Sequence, residues 1–132
     1  MKIKKISPLV TVREIASVKE FYKSHFSAKI TFEMPERHLS LTFDEAGAVE
    51  LGYMVADQCT PFTGEGVILC LEVADPDAEH DRLVREGVTV TMPLQDNPWG
   101  DRAFGVKDPA GVTLYIFKLI EADESFRQYV KA

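Results

Sequence analysis

Cysteine is scarce in this sequence, and long apolar runs are missing. Cys59 and Cys70 alone occur among 132 residues, too few and too irregularly spaced for a disulfide framework or a metal-binding knuckle. No stretch approaches the roughly eighteen apolar residues that span a membrane, and no apolar run of a signal peptide follows the charged segment 1–6. We therefore expect a cytoplasmic protein with free thiols and no membrane partner.

Basic residues are also in short supply. Fifteen Lys and Arg against twenty-one Asp and Glu give a net charge of −6. Because neutralising phosphates needs a basic surface, we expect no nucleic-acid partner. A neutral or cationic small molecule suits this balance better, although −6 is also ordinary for a soluble surface.

Two alternating runs near the C-terminus predict a β-hairpin. Apolar residues alternate in 104–106 and again in 112–116, as in strands with one buried face. The segment Asp108–Gly111 between them has proline where a turn needs φ near −65° and glycine where it needs a positive φ.

The rest of the chain predicts the same element order twice. The first half predicts a strand, a helix opened by the capping box Ser17-x-x-Glu20, and three further strands, at 3–12, 18–26, 29–34, 39–43 and 48–54. The second half predicts a strand at 67–73, a helix from the N-cap Asp75 to Gly87, a strand at 88–92, a loop at 93–98 and the hairpin. A short helix over 124–131 ends the chain.

The halves also share a turn. Phe43–Gly47 and Lys107–Gly111 have similar residues, with His38 and Arg102 at matching places before them. We predict an α+β fold of two tandem βαβββ modules in one domain. The predicted bounds are 1–55 and 66–119 for the modules, 56–65 for a linker and 120–132 for the tail.

The C-terminal hairpin resembles that of the glyoxalase/bleomycin-resistance/extradiol-dioxygenase (vicinal oxygen chelate) superfamily. The resemblance rests on the opening Pro98-Trp99-Gly100, the strand Arg102-x-Phe104 and the turn Asp108–Gly111. It implies curved sheets around a cleft, with the helices on the outer faces. It also implies a homodimer in which two chains complete each other's clefts.

Metal-dependent members of that superfamily hold a divalent ion with four side chains. The resemblance places these positions at Ser7, Glu50, Ile68 and Tyr115. Only Glu50 is a reasonable ligand, because Ile68 has no donor atom and neutral Ser and Tyr suit such metals poorly. His38 and Glu50 together make at most half a site. We therefore expect no metal and no other cofactor.

The last strand of each module has a more apolar side, which we expect to pack on the helix. This places Glu50 in the cleft, because a carboxylate against the helix would be a buried, unpaired charge. There Glu50 binds a cation of a ligand or acts as a general base. The alternative is a structural ion pair with Arg102 or His38.

Aromatic residues surround the same hairpin and offer faces for planar or cationic ligands. Trp99, Tyr115 and Phe117 are candidates, Phe32, Met34 and Phe43 are possible further walls, and Phe104 fits the core equally well. The resemblance is greatest to the metal-free bleomycin-resistance proteins, which sequester a cationic, aromatic antibiotic.

We therefore predict a binding protein that sequesters a planar or cationic small molecule, an antibiotic being one candidate. The predicted ligand-binding residues are Glu50, Trp99, Arg102, Phe104, Tyr115, Phe43 and His38. The alternative is a lyase, isomerase or dioxygenase-type enzyme of the same superfamily that uses Glu50 as a base or as a partial metal ligand. A third possibility is an interaction domain with an inert cleft.

Overall fold

The computed structural model describes residues 1–46 and 49–131, which fall into two compact units. The first unit comprises Met1–Glu65 and Pro109–Gly111, and the second comprises Gly66–Asp108 and the chain from Val112 onward. Each unit has the order strand, helix, strand, strand, strand, which confirms the predicted α+β fold of two βαβββ modules. The first predicted hairpin includes Gly47 and Ala48, which lie outside the described residues.

The first unit contains a four-stranded sheet in the order β1-β4-β3-β2. Strand β1 pairs with β4 in parallel, and the other neighbours are antiparallel. The elements are β1 (Leu9–Thr11), α1 (Ala16–Phe26), β2 (Lys29–Met34), β3 (His38–Thr42) and β4 (Glu50–Met54).

The core of the first unit lies between α1 and one face of this sheet. Leu51 and Tyr53 of β4 are buried on that face, as their alternation predicted. The hydroxyl groups of Tyr22 in α1 and Tyr53 are 2.7 Å apart and share a hydrogen bond. A buried hydroxyl needs such a partner, so the pair satisfies both groups at once.

Two predictions for the start of this unit are wrong. Strand β1 is much shorter than residues 3–12, since Pro8 has no N–H to donate; only its carbonyl joins the sheet, accepting from the Gly52 N–H at 2.9 Å. The capping box is also absent, because α1 begins at Ala16 and Ser17 lies inside its first turn. There the backbone N–H of Ser17 donates to Oε2 of Glu14 at 3.0 Å, so Glu14 is the capping side chain.

The second unit contains a four-stranded sheet in the order β5-β8-β7-β6. Strand β5 pairs with β8 in parallel, and the other neighbours are antiparallel. The elements are β5 (Ile68–Glu72), α2 (Pro76–Arg85), β6 (Val90–Asn97), β7 (Asp101–Lys107), β8 (Thr113–Leu119) and α3 (Glu124–Arg127).

The ends of α2 follow the sequence prediction. Oδ1 of Asp75 accepts the Ala78 N–H at 3.2 Å as an N-cap. Gly87 follows the helix with φ 86°, the left-handed conformation that favours glycine at this place.

Strand β6 is longer than predicted, and α3 is shorter than residues 124–131. The residues assigned to a loop at 93–98 continue the strand as far as Asn97, with register shifts between Val90 and Met92 and between Met92 and Gln95. Such irregularities admit Pro93 into a sheet, because a proline at a bulge gives up no ladder hydrogen bond. Within the described residues, no helix is long and apolar enough to cross a membrane.

Candidate ligand-binding faces

Each sheet has one face packed on its helix and one opposite face, called here the open face. In β8, Leu114 and Ile116 are buried on the helix side. Since side chains alternate along a strand, Tyr115 and Phe117 lie on the open face. Their rings are neighbours, with centroids 6.1 Å apart.

A hydrogen-bonded network surrounds Tyr115 on this open face. The Tyr115 hydroxyl donates to the Asp101 carboxylate, at 2.9 Å from Oδ2 and 3.0 Å from Oδ1. Nδ2 of Asn97 donates to Oδ1 of Asp101 at 2.8 Å and lies 3.2 Å from the Tyr115 hydroxyl. Nε2 of Gln95 donates to Oδ1 of Asn97 at 3.0 Å. The network thus joins strands β6, β7 and β8.

Asp101 is the negative charge of this network. Asp101 is only 8% exposed. Among the described residues, the donors to its carboxylate are the uncharged side chains of Tyr115 and Asn97. A buried carboxylate is tolerated when it is hydrogen-bonded. No lysine, arginine or histidine in the described part of the chain forms an ion pair with it. The open face of the second unit therefore has a negative centre beneath its aromatic rings.

Trp99 lies in the turn between β6 and β7, which is held from two sides. The Gly100 N–H donates to the Asn97 carbonyl at 3.0 Å across the turn, and Gly100 has φ 113°. The Gly100 carbonyl accepts the Ile120 N–H at 2.9 Å. A Cβ on Gly100 would lie 3.2 Å from Cβ of Ala122, so this close approach also requires glycine.

Trp99 is 52% exposed, and its ring lies edge-on to that of Phe126 in α3, with centroids 6.4 Å apart. The part of the ring that Phe126 leaves uncovered is accessible to a ligand.

The pKa of Tyr115 is raised, first by burial and then by its hydrogen bond to Asp101, while the Trp99 indole acts in the opposite direction. The phenol therefore stays protonated at neutral pH. Tyr115 acts as a hydrogen-bond donor to Asp101 and as an aromatic surface.

Two predicted ligand-binding residues lie on the helix side of the second sheet instead. The Arg102 guanidinium donates from Nε and Nη2 to the Asp77 carboxylate of α2, at 2.7 and 2.9 Å, and from Nη1 to Asp96 at 3.0 Å. Phe104 is 0% exposed, and its ring centroid is 5.2 Å from that of His80. The structure therefore places both side chains away from the open face: Arg102 fastens α2 to the sheet, and Phe104 fills the core.

Glu50 lies on the open face of the first sheet, as predicted, opposite Thr42 of β3. Its Oε2 is 3.5 Å from Nζ of Lys5. The expected ion-pair partners, Arg102 and His38, were therefore wrong, and a lysine from the segment before β1 takes this role. Because both side chains of the pair are about one-third exposed, water screens the interaction.

His38 shares that open face, whereas Phe43 does not. Nε2 of His38 is 3.1 Å from the Ser40 hydroxyl, and its ring centroid is 5.3 Å from that of the exposed Phe32. The Phe43 ring packs on α1, with its centroid 5.9 Å from that of Tyr22. Phe43 therefore lies on the helix side, away from the open face on which His38 and Glu50 lie.

The four positions implied for a metal do not form a donor set. Ile68 has no donor atom, and the Tyr115 hydroxyl is committed to Asp101. Ser7 and Glu50 supply one neutral hydroxyl and one carboxylate, which is too few ligands for a divalent ion. In the described part of the chain, no group of three or more His, Cys, Asp or Glu is arranged to hold a metal. The residues present do not fit the metal of the metal-dependent relatives, and metal-free binding remains a prediction.

Sequence reasoning missed Asn97 and Asp101, since it placed 93–98 in a loop. A usable signal was present, because Asn97-Pro98-Trp99-Gly100 has the Asn, Pro and Gly that a type I turn favours at its first, second and fourth positions. Reading this turn as a hairpin brings Asn97 opposite Asp101, the pairing that the structure has.

Comparisons with known proteins show what this chain is similar to. An uncharacterised protein of Mycobacterium bovis is 32% identical, in a match that covers 80% of this chain and 77% of that protein. TnmS3, an antibiotic binding protein from Streptomyces sp. CB03234, has a TM-score of 0.74 at 24% identity, covering 90% of this chain and 98% of its own. Lactoylglutathione lyase from Agrobacterium tumefaciens has a TM-score of 0.68 at 16% identity, covering 89% and 96%.

At these identities the two solved structures show the fold alone. One is a binding protein and the other an enzyme, so this fold by itself leaves the function open. The family is decided by the sequence, since residues 3–116 match the profile described as Glyoxalase/Bleomycin resistance protein/Dioxygenase superfamily. The chain belongs to this superfamily.

Proposed function

We propose that this protein binds a planar, cationic small molecule on the open face of the second unit and sequesters it without a metal. The observation that carries this proposal is the Asp101 carboxylate, buried and hydrogen-bonded only by uncharged donors among the described residues. A cation above the face compensates this charge, and the free energy gained on binding is large because the carboxylate is shielded from water.

Aromatic rings supply the remaining affinity. The exposed ring of Trp99 and the neighbouring rings of Tyr115 and Phe117 offer surfaces for a flat ligand. A cation over such a ring gains about 0.5–2 kcal/mol, and burial of the ligand's apolar atoms adds about 25 cal/mol per Å². The antibiotic binding protein TnmS3 has this fold, which supports an antibiotic as one candidate ligand.

We also propose that two chains form a homodimer. Phe32 and Met34 on the open face of the first unit are 52% and 51% exposed, and Ile68 on the second is 56% exposed. Uncovered apolar groups of this size favour association. Light scattering coupled to gel filtration measures the mass directly, and a monomer at micromolar concentration would contradict this part of the proposal.

The alternative is an enzyme that uses Glu50 as a base, which the position of Glu50 on an open face favours. One of its oxygens faces the Lys5 ammonium, and no other ion pair of this carboxylate occurs in the part of the chain that the structure describes. Glu50→Gln separates the two functions: an enzyme of this kind loses its turnover, whereas the proposed binding protein keeps its affinity for the cation.

Thermal-shift measurements with N-methylquinolinium and its neutral isostere quinoline test the proposal. The cation should raise the melting temperature of the wild type more than quinoline does. Asp101→Asn should remove this difference and Trp99→Ala should weaken binding of both probes, whereas Glu50→Gln should match the wild type. Equal stabilisation of all four proteins by the cation would contradict the proposed site.

A further inference from the structure

A cavity of about 260 Å³ lies in the first unit, at the end of β1. It shares no residue with the face proposed above for the cation. Its lining comes from the chain between β1 and α1, from the linker after β4, and from the turn 109–111, which belongs to the same unit.

Two hydrogen bonds of Thr11 fix the position of the linker that lines this cavity. The Thr11 hydroxyl donates to the Thr60 carbonyl at 2.8 Å, and the Thr11 carbonyl accepts the Phe62 N–H at 2.8 Å. These two bonds hold the linker beside the end of the strand. Pro61 and Pro109, which also line the cavity, restrict their backbones further. The walls are therefore largely pre-formed, as small-molecule sites usually are.

The lining of the cavity is mixed, with polar and apolar surface in similar amounts. Val12 and Val18 lie against the core at 6% and 1% exposure, and Phe62 and Ala110 contribute further apolar surface. A volume of about 150 Å³ is sufficient for a benzene ring. The present one is large enough for one ring and a short substituent.

The rim has one available charge. Glu14 already accepts hydrogen bonds from the backbone and hydroxyl groups of Ser17, and these bonds lower its pKa. Arg13 lines the same cavity and is exposed; within the described residues its guanidinium has neither an ion pair nor a hydrogen bond. Its planar fork of N–H donors matches a carboxylate in two-point geometry.

We propose that this cavity binds a small aromatic monocarboxylate. The ring lies among Val12, Val18 and Phe62, and the carboxylate pairs with Arg13. The negative charge of Glu14 at the rim selects against a second acidic group on the ligand. The chain then holds two small molecules of opposite charge, one on each unit.

Calorimetric titration of the full chain with benzoate tests this site, with benzyl alcohol as the uncharged comparison. We expect benzoate to bind more tightly than benzyl alcohol, and Arg13→Gln to weaken benzoate binding about ten-fold, equivalent to about 1.4 kcal/mol, since the variant removes the positive charge that pairs with the carboxylate. Ala110→Leu, which fills the cavity, should abolish binding of both probes.

Lys23→Gln is the matched control, because it removes the same charge from the exposed side of α1, outside the cavity. It should leave benzoate binding unchanged, as should Asp101→Asn, which separates this site from the cation site. Equal weakening by Arg13→Gln and Lys23→Gln, or benzoate binding that survives Ala110→Leu, would overturn the proposal.

Discussion

The hydroxyl of Tyr115 lies 2.9 Å from Oδ2 of Asp101 and donates a hydrogen bond to it. The superfamily resemblance places a metal ligand at Tyr115, but this hydroxyl is already used inside the protein. The bond couples strand β8 to β7 and keeps a nearly buried carboxylate in place beside the half-buried ring of Tyr115. A position suited to metal chemistry in relatives here stabilises a fixed negative charge.

Tyr115→Phe should lower the free energy of unfolding by about 1–3 kcal/mol, because it leaves the buried Asp101 carboxylate without one of its donors. Urea denaturation at neutral pH measures the change. Tyr129→Phe, at a residue that is largely exposed, is the control and should stay within about 0.5 kcal/mol of wild type. If both variants unfold at the same urea concentration, the bond from Tyr115 is not stabilising.

The raised pKa of Tyr115 predicts a loss of stability in alkali. Because the folded-state pKa lies above the unfolded value of about 10, the contribution is fully present below pH 10 and disappears as the pH rises through the folded pKa. Wild type should therefore lose more stability above pH 10 than Tyr115→Phe does. Parallel stability curves for the two proteins in this range would contradict the assignment.

Asp77→Asn should destabilise the second unit at neutral pH, because it removes the paired hydrogen bonds by which Arg102 fastens α2 to the sheet. The hydrogen bond from Arg102 lowers the pKa of Asp77, so its contribution is present above the unfolded value of about 3.9 and is lost as the pH falls through the folded pKa. The difference in urea midpoint between wild type and Asp77→Asn should therefore shrink below pH 4. Glu72→Gln, at an exposed residue of the same unit, should show no such trend.

Truncation of Phe104 should mainly reduce stability, whereas truncation of Phe117 should mainly reduce ligand affinity. Phe104→Ala should lower the free energy of unfolding by about 3–5 kcal/mol, because it empties a fully buried site. Phe117→Ala should cost less stability but reduce affinity for N-methylquinolinium, since Phe117 lies on the open face. Affinity at the core position is measured with Phe104→Leu, which preserves most of the volume. A loss of affinity in Phe104→Leu comparable with that in Phe117→Ala would place Phe104 at the ligand.

Much of the fold was predictable because the local signals agree with the tertiary structure. The N-cap Asp75 and Gly87 fixed both ends of α2, and the alternation of Leu114 and Ile116 fixed the buried side of β8. The length of strand β1 was overestimated because the apolar run extends past Pro8, which has no backbone N–H to donate to a neighbouring strand. Strand β6 was underestimated because a bulge admits a proline that normally ends a strand.

The candidate site was less predictable than the fold. Trp99 and Tyr115 were identified from the hairpin, and the structure places Trp99 in the turn before β7 and Tyr115 on the open face of β8. Arg102 and Phe104 belong to the same hairpin but alternate onto the helix side, where Asp77 and His80 of α2 contact them. Those partners are distant in sequence, so spacing alone did not reveal them.

Calorimetric titration of N-methylquinolinium into wild type, Asp101→Asn and Glu50→Gln is the most direct test of the binding proposal. We predict that Asp101→Asn weakens binding about ten-fold, equivalent to about 1.4 kcal/mol, while Glu50→Gln binds as the wild type does. Circular dichroism confirms that each variant is folded. Loss of affinity in Glu50→Gln with none in Asp101→Asn would contradict the account and transfer the site to the first unit.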